Sequence, residues 1–240
     1  MRSLLAASLF AACSAFGQVY PAKPVRVIVP SAPGGGYDFV GRLLGDKLGA
    51  ELGQPFIVEN RVGAGTLVGT QAAATSAPDG YTLLVGGLAN MAFNLGLHKD
   101  PRYDPVADFT PVALVGAFTY ALVARKDLAQ NTLREVLDFA RANPGRLTIA
   151  TSGIGTGQHI SAVLLKRLAA VDLLEVAYKG AQPAYVDLLA GRVDLFFDNT
   201  TTARPFIADG RVKEIGTHSE LLRAGGRYAE LFELQAAGYR

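Results

Sequence analysis

The sequence predicts an α/β protein in which parallel sheets are flanked by helices. Three observations carry this. Short runs rich in β-branched residues alternate with segments of helical periodicity, the pattern of βαβ units. Two glycine-rich turns, Ser31–Asp38 and Thr151–His159, each join such a run to a helical segment. The 240 residues, 50% hydrophobic and 18% charged, can bury a core of ordinary size, which excludes intrinsic disorder.

The first segment reads as an address. Met1-Arg2-Ser3 is a short positive start, Leu4 to Ala12 is apolar, and Ala15-Phe16-Gly17 offers small residues to a signal peptidase. This predicts a secretory signal over residues 1–17, cleaved after Gly17. Its apolar stretch, Leu4 to Phe16, is well short of the ~20 residues that span a bilayer. The competing reading is a lipoprotein site at Cys13, to which the aromatic Phe10 is poorly suited. Cleavage after Gly17 leaves no cysteine, so no disulfide can staple the fold.

The elements follow in order. Val25 to Val29 is a β-branched run stopped by Pro30 and reads as a buried strand. Phe39, Val40, Leu43, Leu44, Leu48 and Leu52 mark the expected inward face of the next helix. Pro55 to Glu59 is a strand, Thr66 to Thr75 an alanine-rich helix, and Tyr81 to Val85 a strand. Thr110 to Val115 and Tyr120 to Ala124 are expected to be two more strands. The polar stretch Arg125 to Asn131 is the expected boundary loop. Thr132 with Glu135 forms a capping box ahead of Leu133, Val136, Leu137 and Ala140, and Asn143-Pro144-Gly145 stops that helix. Leu147 to Thr151 is a strand, then Gly157 to Leu168 a helix with Ile160, Leu164 and Leu168 inward. A strand at Leu174 to Tyr178, a helix near Ala184 to Leu189 and a strand at Val193 to Phe197 complete the run.

Composition removes several functions. Lysine plus arginine number 23 against 21 acids, a net charge of +2, without the clustered bases of a nucleic-acid groove. Three histidines and one cysteine leave little for a transition-metal site. The string Gly63-Ala64-Gly65-Thr66-Leu67-Val68-Gly69 has its third glycine one position late for a dinucleotide fingerprint, and no G-x-x-x-x-G-K-[ST] string occurs. No cofactor is expected.

The two glycine turns have a shared logic. Glycine lets backbone approach a ligand closely, and unpaired N–H groups at a helix start favour negative charge. Ser152 and Thr156 add hydroxyls. In open α/β sheets, ligands sit at these carboxyl ends of strands. Two such turns could form the jaws of a cleft, or simply be tight turns. An enzyme reading, a small hydrolase or transferase using Ser152 and His159 with Asp198, lacks the G-x-S-x-G elbow.

Tyr20-Pro21-Ala22-Lys23-Pro24 with Val25–Pro30, Pro33-Gly34-Gly35-Gly36 and Asp38 resemble the start of Bug-type receptors, the periplasmic solute-binding proteins of tripartite tricarboxylate transporters. Val58-Glu59-Asn60-Arg61, Gly63-Ala64-Gly65, Ala77-Pro78-Asp79-Gly80-Tyr81 and Asp108-Phe109-Thr110-Pro111 continue the likeness. So do Ser152-Gly153 with Gly155-Thr156, Tyr178-Lys179-Gly180, Asp187–Gly191 and Phe197-Asp198-Asn199, out to about Lys213. The resemblance implies a two-lobed, type II Venus-flytrap binding protein that performs no chemistry, closes over a small organic carboxylate and serves an inner-membrane permease. It implies a first lobe over 18–118, a second over 119–208, and a monomer in the periplasm. It nominates Pro33, Gly34, Gly35, Gly36, Asp38, Asn90, Ser152, Gly153, Gly155, Thr156, His159, Asp198 and Asn199 as ligand-binding. Tyr37 departs from the small hydroxyl residue usual there, which bears on cleft width.

Residues 209–240 read differently. Asp209–Val212, Glu214, Gly216-Thr217-His218 and Glu220-Leu221-Leu222 resemble the C-terminal strand and helix of an exporter-type ABC transporter ATPase, without that family's catalytic motifs. This implies a chimera joined near 209–214. The first lobe would then lack its returning segment and expose a sheet edge, and the chain would be an impaired receptor or a non-functional fusion.

Overall fold

The computed structural model describes residues 20–217. The expected signal segment, Cys13 and the expected helix of the 209–240 segment lie outside the described residues. Val25–Val29 (β1) is the centre of a three-stranded parallel sheet, flanked by Phe56–Asn60 (β2) and Thr82–Leu84 (β3). Gly36–Leu52 (α1) crosses from β1 to β2, and a 3-10 turn at Ala64–Thr66 leads into Leu67–Ala74 (α2) before β3. After β3 a π-helical turn, Ala89–Phe93, runs into the short Asn94–Leu97 (α3).

The second sheet has five strands. Tyr120–Arg125 (β4) is followed by Leu133–Ala142 (α4), Thr148–Thr151 (β5), Gly157–Ala169 (α5), Leu174–Ala177 (β6), Ala181–Leu189 (α6), Leu195–Asn199 (β7), Thr200–Ala208 (α7) and Val212–Thr217 (β8). Their order is β6-β5-β7-β4-β8. Its two faces bury separate cores. Leu122, Ile149, Leu195 and Phe197 pack on one side, while Ala150, Phe196 and Tyr185 pack on the other. The first sheet buries the smaller cluster of Val25, Val27 and Phe56.

The expected strand and helix order is largely present, and Thr132 caps α4, with the Glu135 carboxylate reaching one residue further back than a capping box requires. Thr132 Oγ1 accepts from the Glu135 N–H at 3.2 Å, and Glu135 Oε2 accepts from the Asn131 N–H at 2.7 Å.

Six expectations are corrected. The second sheet is mixed, because β4 lies antiparallel to both β7 and β8. A parallel strand needs a crossover within its own sheet, and β4 arrives directly from the first sheet's side. Thr110–Val115 is no strand. Neither sheet supplies it a neighbour among the described residues, and Val112 and Leu114 stand 84% and 93% exposed.

The expected apolar face of α1 is rotated. Phe39, Leu43 and Leu52 are exposed, while Gly41 and Gly45 face the sheet. A Cβ on Gly41 would lie 2.5 Å from Val29 Cγ2, and one on Gly45 3.0 Å from the Phe56 carbonyl oxygen. The glycines let the helix settle close to β1 and β2, pushing its larger side chains to the flanks.

In α5 the buried positions are Gln158, Ala162 and Leu165, with Leu164 exposed. Gln158 Nε2 reaches Asp198 Oδ1 at 3.2 Å, and that bond sets the roll of the helix. Finally, Arg125–Asn131 is no boundary. Arg125 Nε donates to Asp194 Oδ1 at 2.8 Å, and Asp194 Oδ2 accepts from the Thr148 N–H at 2.8 Å, tying β4, β5 and the start of β7 together. The passage between sheets is the preceding stretch, 98–119. Likewise β8, inside the 209–240 segment read as a separate tail and beyond the expected end of the second lobe at 208, pairs with β4 as part of the second sheet.

Candidate functional site

Crossover helices put the carboxyl ends of the parallel strands on one side of each sheet, and these two sides face each other. The contact is made by glycines. A Cβ on Gly34 would stand 2.8 Å from Gln182 Nε2, and one on Gly36 2.6 Å from Asn199 Nδ2. A Cβ on Gly65 would stand 2.0 Å from the Ile154 carbonyl oxygen, one on Gly155 3.0 Å from Leu97 Cδ1, and one on Gly180 2.8 Å from Ala32 Cβ. Each pair joins one lobe to the other. The backbone can approach this closely only because no side chain stands there.

On the first lobe, α1 begins after Gly35 in extended conformation, and no side chain caps its first turn. Its leading N–H groups therefore point at the cleft, carrying the positive end of the helix dipole. Pro33 is exposed at the tip of the turn.

Asp38, nominated as a ligand contact, is hydrogen-bonded within its own lobe. Its Oδ2 accepts from the Gly34 N–H at 2.9 Å and from Arg42 Nε at 3.0 Å, and its Oδ1 accepts from Asn60 Nδ2 at 2.9 Å. Burial pushes its carboxyl up, but the hydrogen bonds from Arg42, the Gly34 N–H and Asn60 outweigh this and hold it below the usual carboxylate range. Asn90 is likewise consumed internally. Its Oδ1 accepts from the Gly87 N–H at 2.8 Å and the Tyr37 hydroxyl at 3.4 Å, and its Nδ2 donates to Thr70 Oγ1 at 3.2 Å.

On the second lobe, Ser152 Oγ and Asn199 Oδ1 are buried without a hydrogen-bond partner among the described residues. Gly153 and Gly155 adopt φ of +117° and +85°, which non-glycine residues rarely do. The Gly155 N–H donates to His159 Nδ1 at 3.2 Å. Thr156 caps α5, accepting from the His159 N–H at 3.3 Å and donating to the Gly153 carbonyl at 2.7 Å. His159 Nε2 faces Glu175 Oε2 at 3.5 Å, and Glu175 also holds Lys166 Nζ at 2.7 Å.

Asp198 accepts from Gln158 Nε2 and, at 2.5 Å, from the Thr202 hydroxyl. Its burial pushes its carboxyl up despite those bonds. Burial, and then the nearby Asp198 charge, push the Tyr120 phenol up to about 12. Burial and the neighbouring Tyr120 raise the Tyr37 phenol as well. Both phenols are therefore neutral at physiological pH.

Ser152, His159 and Asp198 do not assemble as a triad. His159 is held by Gly155 and Glu175, Asp198 by Gln158 and Thr202, and the Ser152 hydroxyl has no base beside it among the described residues. The arrangement offers hydrogen bonds and no activated nucleophile.

Of the nominated residues, Gly34, Gly36, Gly155 and Asn199 come together at the contact between lobes. Asp38, Asn90, Thr156, His159 and Asp198 are each hydrogen-bonded within their own lobe. The lobes also meet at Gln182, Gly65, Ile154, Asn94 and Tyr120, which the sequence did not nominate. The signal for two of them was present, since Gly63–Thr66 and Gly180 also join a strand to a helix. A shallow groove of about 320 Å³ lined by Lys23, Arg26, Asp79, Tyr81 and Thr82 lies at the opposite, amino end of the first sheet.

No helix of the described residues is long and apolar enough to cross a membrane. Residues 40–236 match the family described as "Tripartite tricarboxylate transporter family receptor". Protein BugT of Bordetella pertussis is 36% identical over 197 residues, covering 82% of this chain and 60% of that protein. A structure described as R. palustris Rpa4515 with adipate is 31% identical with a TM-score of 0.80, covering 83% of this chain and 67% of that one. MatC (Rpa3494) from Rhodopseudomonas palustris with bound malate is 36% identical with a TM-score of 0.77, covering 83% and 68%. The chain spans about 60% of the length of the curated relatives it matches. The family match runs on to residue 236 and gives no support to an ATPase-derived tail.

Proposed function

The chain belongs to the tripartite tricarboxylate transporter receptor family, and from that premise we propose that it is an exported periplasmic receptor for a small carboxylate. It closes two α/β lobes over the anion and presents the closed form to an inner-membrane permease of the same transporter class. The observation that carries this reading is the uncapped first turn of α1, which faces Asn199 across interlocking glycine turns. Family relatives described with bound adipate and malate support a carboxylate as the ligand class.

In this reading the N–H groups at Gly35 and Gly36 and the hydroxyl of Ser152 hold the carboxylate. Gly34, Gly153 and Gly155 bring the backbone close. Asp38 fixes the first glycine turn, Thr156 and His159 fix the second, Asn90 fixes the turn after β3, and Asp198 fixes the end of β7. The first lobe runs over 18–118 and the second from 119 through β8. Residues 1–17 act as a signal removed after Gly17. A join near 209–214 rests on the residue pattern alone, and sequencing the transcript across that point tests it.

The test of function is a thermal melt of residues 18–240, alone and with di- and tricarboxylates, aromatic acids and amino acids. A ligand that binds only the folded state raises the melting temperature by mass action. A cooperative melt raised by one class of acid supports the receptor reading. A cooperative melt raised by none overturns it, and the absence of any cooperative transition favours a fusion that does not fold.

A further inference from the structure

We propose that Asn94 is a ligand-binding residue, and that it makes the cleft select carboxylates bearing a hydroxyl or ammonium donor over plain ones. The inference rests on the receptor reading above and narrows its ligand class.

Asn94 is fully buried in α3, at the edge of the first lobe that meets the second. Its amide orientation is dictated by its neighbours. Tyr103 donates its hydroxyl proton to the Asn90 carbonyl oxygen, so the Tyr103 oxygen can only accept from Asn94. Asn94 Nδ2 makes that donation at 3.2 Å, and donates its second hydrogen to Thr66 Oγ1 at 3.2 Å. Both amide hydrogens are thereby used, and reversing the amide would set two oxygens against each other at Tyr103.

The remaining atom, Oδ1, is therefore an acceptor. It has no hydrogen-bond partner among the described residues. It faces the second lobe, where a Cβ on Gly155 would stand 3.6 Å from it. Gly155 belongs to the turn that carries Ser152, and among the described residues the Ser152 hydroxyl and Asn199 Oδ1 on the same lobe are also unpartnered. A buried acceptor left unpaired is costly, and a bound group that donates to it recovers that cost. A carboxylate has only acceptors to offer. The neighbouring part of the ligand must bring the hydrogen.

The experiment is titration calorimetry of the purified chain with matched acids: malate against succinate, aspartate against succinate, and lactate against propionate. The donor-bearing member of at least one pair should bind about 10- to 100-fold more tightly than its plain counterpart. In Asn94→Ala that ratio should fall to about one. The wild-type comparison stands alone if the variant does not fold. Equal affinity within every pair that binds overturns the proposal and leaves the receptor reading intact, as does a ratio that survives in a folded Asn94→Ala. Failure of every acid in this and the wider panel to bind overturns both.

Discussion

Gly65→Ala should abolish tight ligand binding while leaving the lobes folded, and its size can be worked from two separate effects. The first is backbone strain. Gly65 has φ +60°, and placing a Cβ in the left-handed region costs about 1–2 kcal/mol. The second is the clash across the cleft. The new Cβ would lie 2.0 Å from the Ile154 carbonyl oxygen, which is backbone and cannot rotate away. The lobes must part by about 1 Å or more to restore ordinary contact. Hydrogen bonds weaken steeply over such a displacement. Losing one or two charge-assisted bonds to a carboxylate, at about 1.5–3 kcal/mol each, raises Kd by roughly 10- to 10⁴-fold. Gly53→Ala supplies the control. Gly53 has φ +70°, with no atom within 4 Å of a Cβ placed there, so it carries the strain without the clash. Calorimetric titration of both variants against the best wild-type ligand, with melts of each, separates the effects. Gly53→Ala should lose about 1–2 kcal/mol of stability and bind normally. If Gly65→Ala binds as tightly as Gly53→Ala, the cleft does not close through this contact.

Ser152→Ala removes a buried hydroxyl with no partner among the described residues, so the ligand-free melt should hold or rise slightly while affinity falls about 5- to 100-fold, read by parallel melting and titration. Asp198→Asn should raise the melting temperature at pH 7 by roughly 2–4 °C and by less at pH 4. The folded-state pKa of Asp198 is raised, so its burial costs stability only once pH climbs above the unfolded value of about 3.9. A larger gain at pH 4 than at pH 7 would refute that sign. Asp38 has the opposite limb. Its folded pKa is lowered, so its contribution is present above the unfolded value and lost as pH falls through the folded one. Asp38→Asn should flatten the acid end of the stability profile below about pH 4. Replacing Val112 and Leu114 by threonine should reduce self-association in light scattering without changing the melt, since both side chains stand in solvent.

Strand and helix identity were legible wherever a short local signal suffices. The β-branched run Val25–Val29, the N-cap at Thr132 and the stop at Asn143-Pro144-Gly145 each act within a few residues, and each appears where the sequence puts it. Facing was less legible. In α1 the hydrophobic pattern points to the leucines, yet the sheet takes Gly41 and Gly45, where the lack of a side chain lets the helix backbone approach β1 and β2 closely. In α5 a single buried polar bond, Gln158 to Asp198, decides the roll against the apolar periodicity. Thr110–Val115 has the composition of a strand, but a strand exists only through its neighbour, and composition does not say whether one is present.

The site divides along the same line. Glycine turns at strand ends could be read from sequence, since the need for close backbone approach is local. Which polar residue touches a ligand could not, because that depends on which of its atoms are already spent. Asp38 and Ser152 sit in similar turns and are both buried or nearly so. Asp38 gives both oxygens to Gly34, Arg42 and Asn60, whereas Ser152 gives its hydroxyl to nothing among the described residues. The same accounting separates Asn90, whose amide is spent on both sides, from Asn94, whose oxygen is not. Four residues apart and of one residue type, they differ only in the bonds their neighbours leave over. A binding cleft is thus recognisable less by which polar residues line it than by which of their hydrogen bonds the fold declines to satisfy.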